Sequence, residues 1–203
     1  MKKILIIIGI FCTLSIGMAW AEDLTPTAAL EPVLDDLTAV LEDDSLRGRE
    51  HRDERREKIM SLIKRGFSFE EMSQRILGKT WRHITDQERD RFTVLMTKLL
   101  ENVYIGKLEG YSGQAIEFAA EIVKGDRAQV TTLVENNNEK IPVHYIMNKT
   151  DSSGWMVYDI NIEGVSLVSN YREQFKSILR KDDFEGLVKM LEDKNRSFLE
   201  EGE

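Results

Sequence analysis

The sequence is poor in cysteine and proline. Its 203 residues include 1 cysteine, Cys12, and 3 prolines, together with 13 glycines. This composition excludes the collagen-like and proline-rich low-complexity classes. Cys12 lies inside an N-terminal segment that has the pattern of a cleaved export signal. We therefore expect the mature chain to have no disulfide and no metal site with cysteine ligands.

Motifs of catalysis and metal binding are also scarce. The histidines, His51, His83 and His144, are far apart and form no H-x-H or H-x-x-x-H pair, so a metal site is not expected. The sequence contains no G-x-S-x-G, P-loop or dinucleotide-binding motif. Asp159 is the one acid that invites a catalytic interpretation, because a carboxylate in a sheet pocket can act as a general base. We favour a structural role for it, in which it pairs with a neighbouring strand or a helix N–H.

The first 21 residues have the order of a secretory signal peptide. Lys2-Lys3 is followed by an apolar run over 4–18 and by Ala19-Trp20-Ala21, which matches an A-x-A cleavage site. The apolar run is shorter than the roughly 20 residues that span a bilayer, which argues against the alternative of an uncleaved anchor. We predict a signal peptide over 1–21 and an exported domain over 22–203.

Acidic residues outnumber basic ones by 36 to 28, which gives a net charge of −8. Cleavage of the signal removes Lys2 and Lys3 and makes the net charge −10. A chain this acidic is a poor partner for nucleic acid or for an anionic bilayer. Hydrophobic residues form 41% of the sequence, which is enough for a packed core.

Two regions, 22–112 and 163–203, have the apolar period of helices. The first contains a wide apolar stripe over 92–104. The pairs Ser68/Glu71 and Thr85/Glu88 predict helix starts of the capping-box type. Residues 43–58 are almost wholly polar. We interpret them as a solvated helix face or a connection, with a docking surface as the alternative.

The region between them, 113–162, alternates apolar and polar residues as half-buried strands do. Turns at Gly125-Asp126, Asn136-Asn137-Asn138 and 151–154 divide it into four strands. The sequence thus predicts an α+β fold, with a four-stranded antiparallel sheet and N- and C-terminal helices on one sheet face. The many large apolar residues fill either a plain core or an elongated cavity between sheet and helices, and both arrangements obey the same periodicity.

Three motifs resemble those of the MlaC family, the periplasmic phospholipid carriers also described as toluene-tolerance auxiliary components of an ABC transporter. The motifs are FSFEEMS at Phe67–Ser73, LGKTW at Leu77–Trp81 with TDQER at Thr85–Arg89, and WMVYDINIEGVSLVSNYREQF at Trp155–Phe175. The resemblance extends over about 26–192, nearly the whole mature chain. Ser68 stands where the family often has Asp.

The resemblance implies a nuclear-transport-factor-2-like sheet whose helices enclose an apolar cavity for phospholipid acyl chains. It implies a soluble periplasmic monomer with phospholipid as cargo and no other cofactor, no metal and no catalytic residue. It further implies shuttling between an outer-membrane lipoprotein–porin complex and an inner-membrane MCE-protein ABC transporter complex, which maintains outer-membrane lipid asymmetry.

Candidate residues for contact with lipid tails come from the sheet and from two long apolar helices. Each of them fits an ordinary core position equally well. They are Phe92, Met96, Leu99, Tyr104, Val130, Val143, Tyr145, Met147, Val157, Tyr158, Ile160, Val165, Val168 and Tyr171.

Two other functions fit the same pattern. One is an enzyme on the same scaffold with Asp159 as general base. The other is an exported chaperone or adaptor that holds protein segments in an apolar groove. The enzyme predicts a small pocket with a polar end, whereas the chaperone predicts bound peptide instead of lipid.

Overall fold

The computed structural model describes residues 24–136 and 139–200. The predicted signal peptide and Asn137-Asn138 of the second predicted turn lie outside these residues. The described helices are α1 Pro26–Glu42, α2 Arg52–Gly66, α3 Phe69–Leu77, α4 Asp86–Glu109, α5 Leu167–Lys181 and α6 Asp183–Glu200. The strands are β1 Ile116–Lys124, β2 Arg127–Asn136, β3 Glu139–Thr150, β4 Gly154–Ile162 and β5 Val165–Ser166.

The sheet is antiparallel, with the strand order β1-β2-β3-β4-β5. The α+β class with an antiparallel sheet is confirmed, but the sheet has five strands and not four. Glu163 and Gly164 adopt φ values of 52° and 85° and reverse the chain in a two-residue turn. Val165 then pairs with Ile162 on β4. A strand of two residues is too short to produce an alternating pattern, which is why sequence periodicity missed it.

Helix α1 covers one face of the sheet. Pro26 occupies its first turn, and the Thr25 side chain caps it by accepting a hydrogen bond from the Ala28 N–H at 3.2 Å. Its buried stripe packs on the sheet to form an apolar cluster, here called the sheet cluster. The buried members of the sheet cluster are Leu30, Val33, Leu34, Phe67, Ala128, Val130, Val143, Tyr145, Met147, Trp155 and Val157.

Helices α3 to α6 form a second apolar cluster, here called the helical cluster. Its largest fully buried side chain is Phe92, on the predicted stripe of α4. Phe69 at the start of α3 packs against both clusters. The other buried members are Met72, Ile76, Leu77, Trp81, Met96, Leu99, Leu100, Val168, Tyr171, Phe175, Leu187 and Leu191.

The predicted helix starts are present at Ser68 and Thr85. Thr85 and Glu88 form the full capping box, with the Thr85 N–H donating to the Glu88 carboxylate at 2.7 Å. These hydrogen bonds lower the pKa of Glu88. Ser68 accepts from the Glu71 N–H at 3.2 Å, but the Glu71 carboxylate pairs with Arg75 instead of completing the box.

The polar segment 43–58 is not uniformly solvated. It contains two short 3-10 turns and the first half of α2. Leu46 is buried, and so is Arg55, which donates to the Leu41 carbonyl at 2.9 Å. The segment therefore anchors α2 to the end of α1. Among residues 24–136 and 139–200, no helix is both long and apolar enough to cross a membrane.

Candidate functional site

The candidate tail-contacting residues separate into two groups. One group, Val130, Val143, Tyr145, Met147, Val157 and Ile160, belongs to the sheet cluster or packs against it. The second group, Phe92, Met96, Leu99, Tyr104, Val168 and Tyr171, belongs to the helical cluster or packs against it. The structure therefore divides them between two packed clusters, and Phe69 packs against both.

Two of the candidates lie in neither cluster. Val165 is 60% exposed on the short strand β5. Tyr158 is buried under the guanidinium of Arg75, whose central carbon lies 3.6 Å from the ring centre. A cation over an aromatic face stabilises the packing of α3 against β4.

The sheet cluster is built from side chains that face each other across the strands. Val130 on β2 lies opposite Tyr145 on β3, and Tyr145 lies opposite Ile160 on β4. Met147 and Val157 form the next pair, and both are essentially inaccessible to solvent. Burial raises the pKa of Tyr145, so its ring remains neutral among these apolar neighbours. The result is an uncharged apolar surface that extends over three strands.

Sequence reasoning missed the residues of α1 that complete this surface. Leu30, Val33 and Leu34 are 0%, 3% and 6% exposed. Their 3–4 spacing indicated an amphipathic helix, and that spacing was the available signal. It did not indicate which element the stripe packs on, so α1 was not among the predicted tail contacts.

A cavity of about 280 Å³ opens at the edge of the sheet cluster, between α1, the loop after α4 and the start of β1. Its apolar walls are Leu34, Ile116 and Phe118, all of which belong to the sheet cluster or pack against it. Asp35 and Glu42 contribute to its polar walls. At this cavity the edge of the sheet cluster thus meets a group of polar side chains.

Tyr111 lies in the wall of this cavity and orders the loop that follows α4. Its hydroxyl donates to the Gln114 carbonyl at 2.8 Å. Burial, and to a smaller extent the carboxylate of Glu42, raises the pKa of Tyr111. The hydroxyl therefore remains a neutral donor at physiological pH.

The helical cluster is packed as an aromatic core. Phe92 meets Phe175 edge to face, with ring centres 6.3 Å apart and planes at 87°. Tyr171 contacts Phe175 at 5.6 Å. Burial, with a smaller contribution from Tyr104, raises the pKa of Tyr171 to about 12.

Asp159 accepts hydrogen bonds at the N-terminus of α5. Its two carboxylate oxygens accept hydrogen bonds from the Ser166 hydroxyl at 2.6 Å and from the Val168 N–H at 3.0 Å. Asp159 is only 9% exposed. These contacts match the structural role expected from the sequence, since a carboxylate at a helix N-terminus binds otherwise unpaired N–H groups.

His144 takes part in a different polar group on β2 and β3. Its Nδ1 lies 2.9 Å from the Thr131 hydroxyl and 3.3 Å from the Gln129 amide. Asp159 is not among its hydrogen-bond partners, so His144 and Asp159 do not form a pair for acid–base chemistry. In the described part of the chain, no three His, Cys, Asp or Glu side chains are grouped so that they could hold a metal ion.

Comparison with known proteins relates the whole arrangement to one family. The family model described as "MlaC protein" matches residues 31–193. A curated protein from Haemophilus influenzae, named intermembrane phospholipid transport system binding protein MlaC, is 26% identical over 126 residues. That alignment covers 60% of this chain and 59% of the relative's length.

A solved structure extends the likeness to the fold. The phospholipid-binding protein from Ralstonia solanacearum, solved in complex with a phospholipid, is 26% identical and superimposes with a TM-score of 0.75. The superposition covers 87% of this chain and 99% of that protein. The helices and the sheet described above are therefore arranged as in a protein that holds a phospholipid.

Proposed function

The chain belongs to the MlaC family, and from this premise we propose that it is a periplasmic carrier that holds phospholipid by its acyl chains. In this proposal it collects or delivers lipid at an outer-membrane lipoprotein–porin complex and at an inner-membrane MCE-protein ABC transporter complex. Such transport would maintain the lipid asymmetry of the outer membrane. The phospholipid is cargo, and the function requires no catalytic residue, metal or cofactor.

The observation that supports the proposal best is the sheet cluster with the cavity at its edge. Val130, Tyr145 and Val157 present an uncharged surface, and α1 covers that surface with its apolar side chains. Acyl chains need such a surface, whereas a headgroup needs polar contacts at its edge. Thr38, Tyr111 and Gln114 place neutral polar groups at that edge, next to the carboxylates of Asp35 and Glu42.

The energetics explain why a carrier is needed. Burial of each CH₂ contributes about 0.8 kcal/mol, so transfer of two tails of about 16 carbons into water costs on the order of 20 kcal/mol. A free phospholipid therefore cannot cross an aqueous compartment at a useful rate. A protein that keeps the tails dry removes most of this cost without any chemical step.

The cavity at the edge of the sheet cluster is smaller than a phospholipid requires. Its volume of about 280 Å³ lies just below the range of about 300–1,000 Å³ that is typical of pockets for drug-sized ligands. We therefore expect α1 to separate from β2, β3 and β4 when tails enter between them. The tails would then replace contacts of Leu30, Val33 and Leu34.

A charge placed inside the sheet cluster tests this placement. Ile160 is partly buried and packs against the sheet cluster. Ile160→Asp places a carboxylate next to the proposed position of the acyl chains, where an ionised group is strongly disfavoured. Ile122→Asp makes the same change at a side chain that is 53% exposed on β1. We expect Ile160→Asp to lose bound phospholipid and Ile122→Asp to retain it, as measured by lipid extraction and mass spectrometry of detergent-free protein.

Circular dichroism and the midpoint of urea denaturation are the controls that test whether both variants are folded. Ile160→Trp serves as a second probe, because it occupies more of the same space without adding charge, and it should reduce the amount of lipid bound. A folded Ile160→Asp that still co-purifies with phospholipid would show that the tails lie elsewhere. Bound peptide in place of lipid would favour the chaperone alternative.

A further inference from the structure

A second concavity lies away from the sheet cluster, between α3 with the turn that follows it and α5. Its volume is about 1050 Å³, and it is here called the basic cleft. Two carboxylates, Glu71 and Glu173, are among its walls. The cationic residues of the cleft are Arg75, Lys79, Arg82, Arg127, Arg172, Lys176 and Arg180.

The charge of the basic cleft is opposite in sign to the net charge of the protein. The 7 cations of the cleft are a quarter of the 28 Lys and Arg residues in a chain with a net charge of −8. The remaining surface is therefore strongly acidic. A cleft of opposite sign on an acidic protein focuses its field on whatever approaches that face.

Three of the cations are held by local contacts. Arg75 pairs with Glu71 and lies over the Tyr158 ring. Arg172 donates through Nε to the Arg75 carbonyl at 2.8 Å and so closes the end of α3. Lys176 lies 3.4 Å from Glu173. These three groups are part of how α3 and α5 pack together.

The other four, Lys79, Arg82, Arg127 and Arg180, are exposed and form no ion pair with any residue in 24–136 or 139–200. Arg180 donates through Nε to the Lys176 carbonyl at 3.3 Å, a contact within α5 that leaves its charge without a carboxylate partner. They come from three separate parts of the chain: the turn after α3, the start of β2 and the end of α5. The fold thus gathers four positive charges that have no carboxylate partner around one depression.

We propose that the basic cleft is the docking site for an acidic segment of a partner protein. Arginine side chains pair with carboxylates through two parallel hydrogen bonds, and several such pairs along a groove fix the register of a bound segment. The inference rests on the proposed carrier function, because a carrier has to engage its partners in order to load and unload.

The shape and exposure of the cleft favour this occupant over others. A flat anionic bilayer cannot reach into a concavity, and the acidic surface around it repels such a bilayer. A single phosphate would need converging, buried donors, whereas these cations are exposed and spread around about 1050 Å³. An extended segment with several carboxylates matches both the size and the charge.

The probe is a fluorescein-labelled peptide of alternating Glu and Ala, with a Gln and Ala peptide as the neutral control. Binding is read by fluorescence anisotropy at about 0.05 M and about 0.5 M NaCl. We expect the wild-type protein to bind the Glu peptide only, and the higher salt concentration to weaken that binding. Lys79→Glu combined with Arg82→Glu should lower the affinity by about 10-fold or more.

The matched control is Lys64→Glu combined with Lys189→Glu, which makes the same change in net charge at exposed lysines outside the cleft. The control pair should bind the Glu peptide within about 2-fold of wild type. An equal loss in both double variants would overturn the proposal, because net charge alone would explain it. So would saturable binding of inorganic phosphate, or of phosphatidylglycerol vesicles, by a protein that does not bind the Glu peptide.

Lipid content separates this proposal from the carrier function. Lys79→Glu with Arg82→Glu should carry as much phospholipid as wild type, since the change leaves the sheet cluster intact. A protein that carries phospholipid but does not bind the Glu peptide would overturn the docking site alone. A protein that binds the peptide through the cleft but never carries lipid would overturn the carrier function alone.

Discussion

At the scale of single residues, Asp159 shows how position decides the role of a carboxylate. Both of its oxygens are engaged, one by the Ser166 hydroxyl and one by the Val168 N–H. The Ser166 hydroxyl in turn accepts a hydrogen bond from the Ser169 N–H at 3.0 Å. The side chains of Asp159 and Ser166 therefore cap the start of α5 together. A carboxylate held in this way joins β4 to α5 and stabilises the first turn of α5.

We predict that Asp159→Ala lowers the free energy of unfolding by about 2 kcal/mol, because it leaves the buried Val168 N–H without an acceptor. Urea denaturation followed by circular dichroism measures the change. Asp151→Ala is the control, since Asp151 is exposed in the turn before β4, and it should change stability by less than about 0.5 kcal/mol. A fully stable Asp159→Ala would contradict the capping role and would revive the enzyme alternative.

At the scale of elements, the packing of α1 on the sheet depends on a close contact between α1 and α2. A Cβ atom added at Gly66, the last residue of α2, would lie 3.0 Å from Cγ2 of Val33. Val33 is 3% exposed inside the sheet cluster, so it has little room to give way. Glycine at position 66 therefore lets α1 and α2 pack together while α1 remains on the sheet.

We predict that Gly66→Ala destabilises the protein by about 1 kcal/mol, because the overpacking cost exceeds the small gain in helix propensity at a helix end. In the Val33→Ala background the same substitution should be neutral or stabilising. A double-mutant cycle from urea denaturation gives the coupling free energy, expected at about 1 kcal/mol. Additive effects of the two substitutions would show that the contact does not limit the packing.

The elements themselves were largely predictable from the sequence, because their signals are local. The Thr85–Glu88 cap, the apolar stripe of α4 and the alternation along β2 and β3 each depend on residues within a few positions of one another. Strand β5 was not predictable, because two residues are too few to show an alternating pattern. The turn at Glu163-Gly164 that precedes it is recognised from its dihedral angles, which only the structure provides.

The arrangement of the site was less predictable, because periodicity gives the buried face of an element and not its neighbour. Phe92 and Val130 were both expected to be apolar and inward-facing, and both are fully buried. The structure nevertheless assigns them to different clusters, the helical cluster and the sheet cluster. Only the tertiary contacts show to which cluster each side chain belongs.

At the scale of the whole molecule, the two proposed sites have opposite character. The sheet cluster is apolar and uncharged, which suits acyl chains, whereas the basic cleft is exposed and positively charged, which suits an acidic partner. The net charge of −8 keeps the rest of the surface away from anionic membranes. A carrier that exchanges lipid through protein partners, and not by collision with a bilayer, needs this separation.

The most direct test of the carrier function is the native mass of the exported protein, purified without detergent. We predict a mass above that of the mature polypeptide, and an excess that organic extraction resolves into phospholipid with two acyl chains. A folded protein whose native mass equals that of the polypeptide, and which takes up no lipid from labelled phospholipid vesicles, would show that the chain is not a phospholipid carrier.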